Sequence, residues 1–208
     1  GDELCEKSML QQRQEAGRYQ MHGLLRQFAT DKLKEAQEES GIKSAFVTHF
    51  STFATLNRVD YAKLRPEWPN FSAAIEIAQG QQAWQQVLDL TDTLDEPWFR
   101  QARFFDMRHG LELAVEAAQF LRDEEAFARK LLRLGEIEME QNDYAAAEPR
   151  LENAMQQFMR LEDSLGVAES KFFLGRICRE QSRFTQAKAY LADSEQLFNE
   201  EGNILGLS

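Results

Sequence analysis

The chain has 208 residues, 43% of them hydrophobic, and a formal net charge of -11 at pH 7. A hydrophobic fraction of this size, with 15 Phe, excludes a disordered chain, while only 4 Pro and 11 Gly favour helix nearly throughout. The acidic balance without clustered Lys or Arg excludes a nucleic-acid surface, and no apolar run is long enough to cross a bilayer, so we expect neither partner.

The first 38 residues predict a β-hairpin followed by a helix. Residues 7–12 and 18–21 flank the turn-forming segment Glu15-Ala16-Gly17. Apolar residues then recur at helical spacing over about 22–38: Leu24, Leu25, Phe28, Ala29 and Leu33. A hairpin and one helix are too small to fold alone, so we interpret residues 1–38 as the remnant of a larger domain.

One segment of this region resembles a known family. Tyr19-Gln20-Met21-His22-Gly23-Leu24-Leu25-Arg26 is similar to the end of the winged-helix domain in bacterial STAND and NB-ARC regulatory ATPases, which reads Tyr-x-Met-His-Asp-Leu-Leu-Arg. The resemblance implies that His22 faces ADP in the parent protein and helps to hold its closed state. Gly23 replaces the usual Asp. From its position alone, His22 could instead cap the helix that follows.

Residues 39–80 predict connecting helices. Apolar residues between 42 and 62 mark one helical face: Phe46, Val47, Phe50, Phe53, Ala54 and Leu56. Pro66 and Pro69 disfavour helix in the residues before them, and a short helix over 71–78 ends at Gly80.

The remainder repeats at a separation of forty residues. Leu134-Gly135-Glu136-Ile137 returns as Leu174-Gly175-Arg176-Ile177, and Leu165-Gly166 returns as Leu205-Gly206. A degenerate earlier unit covers 82–121. We predict two amphipathic helices per unit, with a turn at Asn142-Asp143 and small residues where helices approach closely.

Two prolines interrupt this pattern. Pro97 lies where the first helix of a later unit is intact, so the helix is expected to kink or restart there. Pro149 lies beyond the first turn of a second helix if Asp143 is the cap, so a kink or a late helix start is expected there as well.

The Leu-Gly-x-Ile pattern with its following Tyr or Phe and Ala resembles the tetratricopeptide repeat, whose usual period is 34 residues. The longer period predicts a longer second helix or a longer loop between units. The resemblance implies an all-α, right-handed superhelix of helical hairpins over 81–208, truncated in its last repeat.

In that family the first helices line a groove, and the register predicts the groove residues on two successive first helices. They are Arg129, Leu132, Glu136, Met139, Glu140, Glu169, Phe172, Arg176, Arg179 and Glu180. Apolar anchors among paired charges are typical of peptide-binding surfaces. A solvated face whose Arg and Glu side chains pair with one another is the competing interpretation.

The sequence carries no catalytic or metal-binding motif. It has no Gly-x-x-x-x-Gly-Lys-Ser/Thr phosphate loop, so we expect ATP or ADP only in the parent protein and no cofactor or hydrolysis here. His22, His49 and His109 lie in different predicted elements, which argues against a metal site. Cys5 and Cys178 match no ligand spacing, which indicates a reducing, cytoplasmic compartment.

These observations predict a non-catalytic sensor module of a STAND-type ATPase. Its array would bind a protein or peptide and thereby relieve autoinhibition by domains upstream in the same chain. A freestanding tetratricopeptide scaffold is the alternative. An all-helical enzyme that uses an inner-face carboxylate such as Glu136 or Glu140 is the third possibility.

Overall fold

The chain divides into two compact units, Gly1–Phe46 and Val47–Ser208. The computed structural model describes residues 10–12, 19–200 and 202. Three predicted features lie outside these residues: the hairpin turn at 15–17, Cys5, and the repeated Leu205-Gly206. The sequence-based boundaries at residues 38 and 80 stay predictions.

The first unit holds a short antiparallel strand pair and a helix. Strand β1 (Leu10–Gln12) pairs with β2 (Tyr19–Met21). Helix α1 spans Gly23–Glu35 and buries none of its residues, so Leu24 and Phe28 are largely exposed on it. Helix α2, Glu39–Leu56, begins in this unit and continues into the second.

The second unit opens with an aromatic cluster. Helix α3 (Tyr61–Leu64) and a 3-10 turn (Arg65–Glu67) lead into α4 (Trp68–Gly80). The Phe50 ring on α2 meets the Phe71 ring on α4 edge to face, with 5.9 Å between centroids. The helix predicted to reach residue 62 ends at Leu56 instead, and Leu56 itself is exposed rather than part of the apolar face.

Six further helices form three helical hairpins. Hairpin 1 is α5 (Trp84–Arg100) with α6 (Phe104–Leu121), hairpin 2 is α7 (Glu124–Glu140) with α8 (Tyr144–Arg160), and hairpin 3 is α9 (Ser164–Glu180) with α10 (Phe184–Glu200). Each helix packs against the next in sequence. Hairpin 1 is the degenerate unit predicted over 82–121, and the structure confirms it. The right-handed superhelix stays a prediction.

A left-handed backbone residue recurs every twenty residues and sets the period. The positions are Gln82, Ala102, Arg122, Asn142, Glu162 and Ser182, with φ between 52° and 61°. Each ends one helix, and the residue after Arg122, Asn142 and Glu162 is an aspartate that caps the following helix. Five of the six helices have 17 residues and α6 has 18, so the long period reflects two equally long helices. The longer loop between units is absent from this stretch.

Glycines allow the helices to approach closely, as predicted for Gly135. A Cβ atom on Gly135 would lie 2.7 Å from Cγ of Leu151, and one on Gly175 would lie 2.7 Å from Cγ of Leu191. Ordinary carbon contacts are about 3.5–4.0 Å, so neither position accepts a side chain without a shift. The same relation in both hairpins confirms the repeat register.

A buried carboxylate joins hairpins 1 and 2. The Glu138 side chain is fully buried, pairs with Nε of Arg150 at 2.8 Å and lies 3.2 Å from Nη2 of Arg108. Burial nevertheless raises the pKa of Glu138, against the two arginines. Removal from water therefore outweighs the attraction of both cations.

The two prolines do not break their helices. Helix α5 continues through Pro97, and α8 begins at Tyr144 with Asp143 as its cap and continues through Pro149. The predictions of a restart at Pro97 and of a late start before Pro149 are therefore wrong. Each proline removes a single backbone donor from a helix that packs against neighbours before and after it in sequence, and this packing holds the helix together.

Candidate functional site

A cleft of about 590 Å³ lies where the first helices of the three hairpins meet. Its wall comes from α5, α7 and α9, with one residue from α10. The lining residues are Asp92, Asp95, Arg129, Lys130, Leu132, Arg133, Glu136, Glu169, Phe172, Phe173 and Phe198.

Two ion pairs join hairpins 1 and 2 at the wall of the cleft. Arg133 on α7 meets Asp95 on α5 through two contacts of 3.0 Å and meets Glu136 at 2.5 Å. Lys130, also on α7, is buried and pairs with Asp92. Burial lowers the pKa of Arg133, but the carboxylates outweigh it and leave that pKa raised. The carboxylates therefore hold the Arg133 guanidinium firmly within the array.

Arg129 connects hairpin 2 to hairpin 3. Its guanidinium lies 2.7 Å from the Asp163 carboxylate, 3.5 Å from Glu169, and 5.1 Å from the centre of the Phe158 ring. Because Asp163 also accepts a hydrogen bond from Gly166 N and so caps α9, the guanidinium is held where α9 begins. Its contact with Glu169 is the longest of the cleft's ion pairs.

Burial raises the pKa of Glu169. Arg129 opposes this shift, whereas the carboxylates of Asp163 and Glu136 add to it. The ionised Glu169 carboxylate is therefore less stabilised by its surroundings than it would be in water. Arg129 therefore does not fully offset the burial of this carboxylate.

Aromatic rings form the other side of the cleft. Phe172 is 37% exposed and meets Phe173 at 5.5 Å between centroids. Arg176 lies over both rings at about 6 Å and pairs with Glu140 at 3.1 Å. An accessible ring beside a cation it contacts is a suitable anchor point for an apolar side chain.

The structure brings together half of the ten predicted groove residues. Arg129, Leu132, Glu136, Glu169 and Phe172 line the cleft. Arg176 and Glu140 pair with each other beside it. Arg179 and Glu180 pair with each other at the end of α9 and are not part of the lining.

Two of the predicted groove residues are not exposed. Met139 is 4% exposed and belongs to the apolar core with Leu151 and Ile177, so its assignment to the groove is wrong. Leu132 is 7% exposed and belongs to the same core, so its predicted exposure is wrong although it lines the cleft. Both lie on the side of α7 that packs against the neighbouring helices.

Six lining residues were missed: Asp92, Asp95, Lys130, Arg133, Phe173 and Phe198. The repeat itself contains the signal for two of them. Asp92 and Phe172 lie forty residues on either side of Leu132, and Phe173 lies forty after Arg133. Applying the groove register to hairpin 1 would have predicted Asp92 as a groove residue. Including the position next to Phe172 on α9 would have predicted Phe173.

His22 caps α1 in the structure. Its Nδ1 accepts a hydrogen bond of 3.3 Å from Leu24 N, which is the capping role considered from the sequence. Within residues 10–12, 19–200 and 202, no group of three or more His, Cys, Asp or Glu could hold a metal ion. No helix in the same residues has the length and apolar character to cross a membrane.

The hairpins, their period and the cleft on their first helices define a tetratricopeptide-like helical array. Residues 127–200 match the tetratricopeptide repeat family. This segment includes most of hairpin 2 and all of hairpin 3. No curated protein matches the chain.

Proposed function

We propose that the second unit is a non-catalytic module that binds a peptide segment of a partner protein in the cleft. The observation that carries this proposal is the accessible ring of Phe172 beside unevenly paired charges, at the junction of three first helices. Helical arrays bind extended peptides on such surfaces, with an aromatic anchor for affinity and charges for orientation.

The geometry favours this reading over a plain solvated face. On a solvated face, neighbouring charges pair with one another, as Arg179 and Glu180 do at the end of α9. In the cleft, most ion pairs instead bridge successive hairpins, Arg133 with Glu136 being a pair within α7, and an apolar surface lies between them. Rigid charges around an open apolar patch are pre-organised for a ligand.

The regulatory part of the proposal rests on the first unit. We infer a STAND-type parent protein in the cytoplasm, in which partner binding to the array releases a nucleotide switch carried upstream. The resemblance around Tyr19-Gln20-Met21-His22 supports this, and so do the exposed Leu24 and Phe28, which suit a helix packed within a larger domain.

The capping bond gives His22 a form that suits a phosphate contact. Because Nδ1 accepts from Leu24 N, the proton of the neutral ring resides on Nε2. Nε2 is then the atom that would donate to a phosphate oxygen of ATP or ADP in the parent protein. The reading frame upstream should encode a phosphate loop, and a frame without one would refute the STAND assignment.

The binding proposal is tested by selecting twelve-residue displayed peptides on the full chain. The selected peptides should lose affinity at least tenfold for Phe172→Ala combined with Arg176→Ala, with an unchanged melting temperature. Phe184→Ala is the matched control, because this ring is 66% exposed on α10 and does not line the cleft. Equal binding to wild type, the double variant and the control would refute the cleft as the site.

A further inference from the structure

The cleft has more carboxylates than cations. Asp92, Asp95, Glu136 and Glu169 line it, against Arg129, Lys130 and Arg133. In addition, the carboxylate nearest to Arg129 is Asp163, which is not among the lining residues. Both lining glutamates therefore share their cation with an aspartate.

Glu169 and Glu136 are these two. Glu136 shares Arg133 with Asp95, which holds the guanidinium through two contacts. Glu169 has only the 3.5 Å contact with Arg129, which lies nearer to Asp163. The field of Glu136 further disfavours the charged form of Glu169. A positive charge brought between the two glutamates would relieve their repulsion.

The cation site adjoins the aromatic site on one helix. Phe172 and Phe173 follow Glu169 by three and four residues, so the three side chains share a face of α9. Such neighbours are about 5–6 Å apart at their Cβ atoms. In an extended peptide, side chains two residues apart point the same way and are separated by about 7 Å. The two spacings match closely enough for one short segment to reach both.

We propose that the cleft selects a peptide with a lysine or arginine two residues from a large apolar side chain. The cation lies against Glu169 and Glu136, and the apolar side chain lies on Phe172. This inference rests on the proposed peptide-binding function. An acidic peptide is disfavoured, because its carboxylate would face two glutamates while Arg129, Lys130 and Arg133 are already paired.

Matched sets of fluorescent nine-residue peptides test the proposal by anisotropy on the full chain. Every peptide has a Gly-Ser background and one central Trp. One set carries a Lys at one to four residues from the Trp, a second set carries Glu at the same places, and a third carries norleucine. The tightest binder should have Lys two residues from Trp, and its Glu counterpart should bind at least tenfold more weakly.

Two variants assign the charge effect. Glu169→Gln should weaken the best Lys peptide about tenfold and leave its norleucine counterpart unchanged. Glu195→Gln is the matched control, since Glu195 is an exposed residue of α10 that does not line the cleft. An equal loss for the Lys and norleucine peptides would mean that Glu169 supports the cleft's shape, and would overturn the proposed cation contact.

The outcomes separate this inference from the proposed function. If Glu peptides bind as tightly as Lys peptides and both need Phe172, the cleft binds peptides but the charge selection is wrong. If no set binds, or if Phe172→Ala changes no affinity, both the inference and the proposed function are overturned.

Discussion

Identical glycine substitutions in the two later hairpins should differ in their effect on stability, because the leucines opposite the two glycines differ in burial. Gly135 and Gly175 occupy equivalent positions, and an added Cβ would lie 2.7 and 2.8 Å from a leucine side chain at both. The leucines differ in their freedom to move. Leu151, opposite Gly135, is fully buried, whereas Leu191, opposite Gly175, is partly exposed.

The expected magnitudes follow from two opposing terms. Replacing a helical glycine by alanine gains about 1 kcal/mol of helix propensity. Overpacking a dense core costs about 1–3 kcal/mol. Gly135→Ala should therefore lower the free energy of unfolding by about 0–2 kcal/mol, toward the upper end of this range because the fully buried Leu151 has no space to move into. Gly175→Ala should be close to neutral, because Leu191 can rotate toward solvent.

The assay is chemical denaturation followed by circular dichroism at constant protein concentration. Gly80→Ala is the control, since an added Cβ there meets nothing within 4 Å, and it should be neutral or slightly stabilising. The double variant Gly135→Ala with Leu151→Ala should be more stable than the sum of the single effects predicts, because the second change removes the clash. A Gly135→Ala protein as stable as the Gly80→Ala control would refute the close-packing argument.

Three other changes test the electrostatics and capping. Glu138→Ala should lower the free energy of unfolding, measured by urea denaturation, by about 2 kcal/mol. This is less than the cost of breaking a fully buried ion pair, because Arg108 and Arg150 remain partly exposed to solvent. An unchanged free energy of unfolding would contradict a structural role for this carboxylate. Asp143→Ala should cost about 1 kcal/mol through the lost cap of α8, and an unchanged denaturation midpoint would argue against it. Because the folded-state pKa of Glu169 is raised, its contribution to stability is greatest at low pH and falls as pH rises through the raised pKa. As pH rises through that range, the Glu169→Gln variant should therefore become more stable relative to wild type, as measured by denaturation at several pH values. A stability difference that does not change with pH would contradict this prediction.

The repeat architecture could be predicted because short sequence patterns indicate its helices and turns. The forty-residue return of Leu134-Gly135 and Leu174-Gly175, together with the turn at Asn142-Asp143, marks helix faces, close contacts and caps. These features depend on residues near one another along the chain. Residues 127–200, where the pattern is clearest, are also the part that matches the tetratricopeptide repeat family.

The exposure of individual groove residues could not be predicted in the same way. Met139 satisfies both the apolar stripe and the groove register, and only the packing of the neighbouring helices places it in the core. Lys130 and Arg133 find their partners on α5, 38 residues away, at positions outside the repeated apolar pattern. The continuity of α5 through Pro97 likewise depends on tertiary packing, which outweighs local helix propensity.

The central claim is that the cleft on the first helices is the binding surface, and fluorine NMR tests it most directly. The 15 Phe of the full chain are replaced by 4-fluorophenylalanine, and the Phe172 and Phe184 resonances are assigned by single leucine substitutions. Titration with the best Lys-containing peptide should shift the Phe172 resonance and leave that of Phe184 in place. A shift at Phe184 with none at Phe172 would contradict the account.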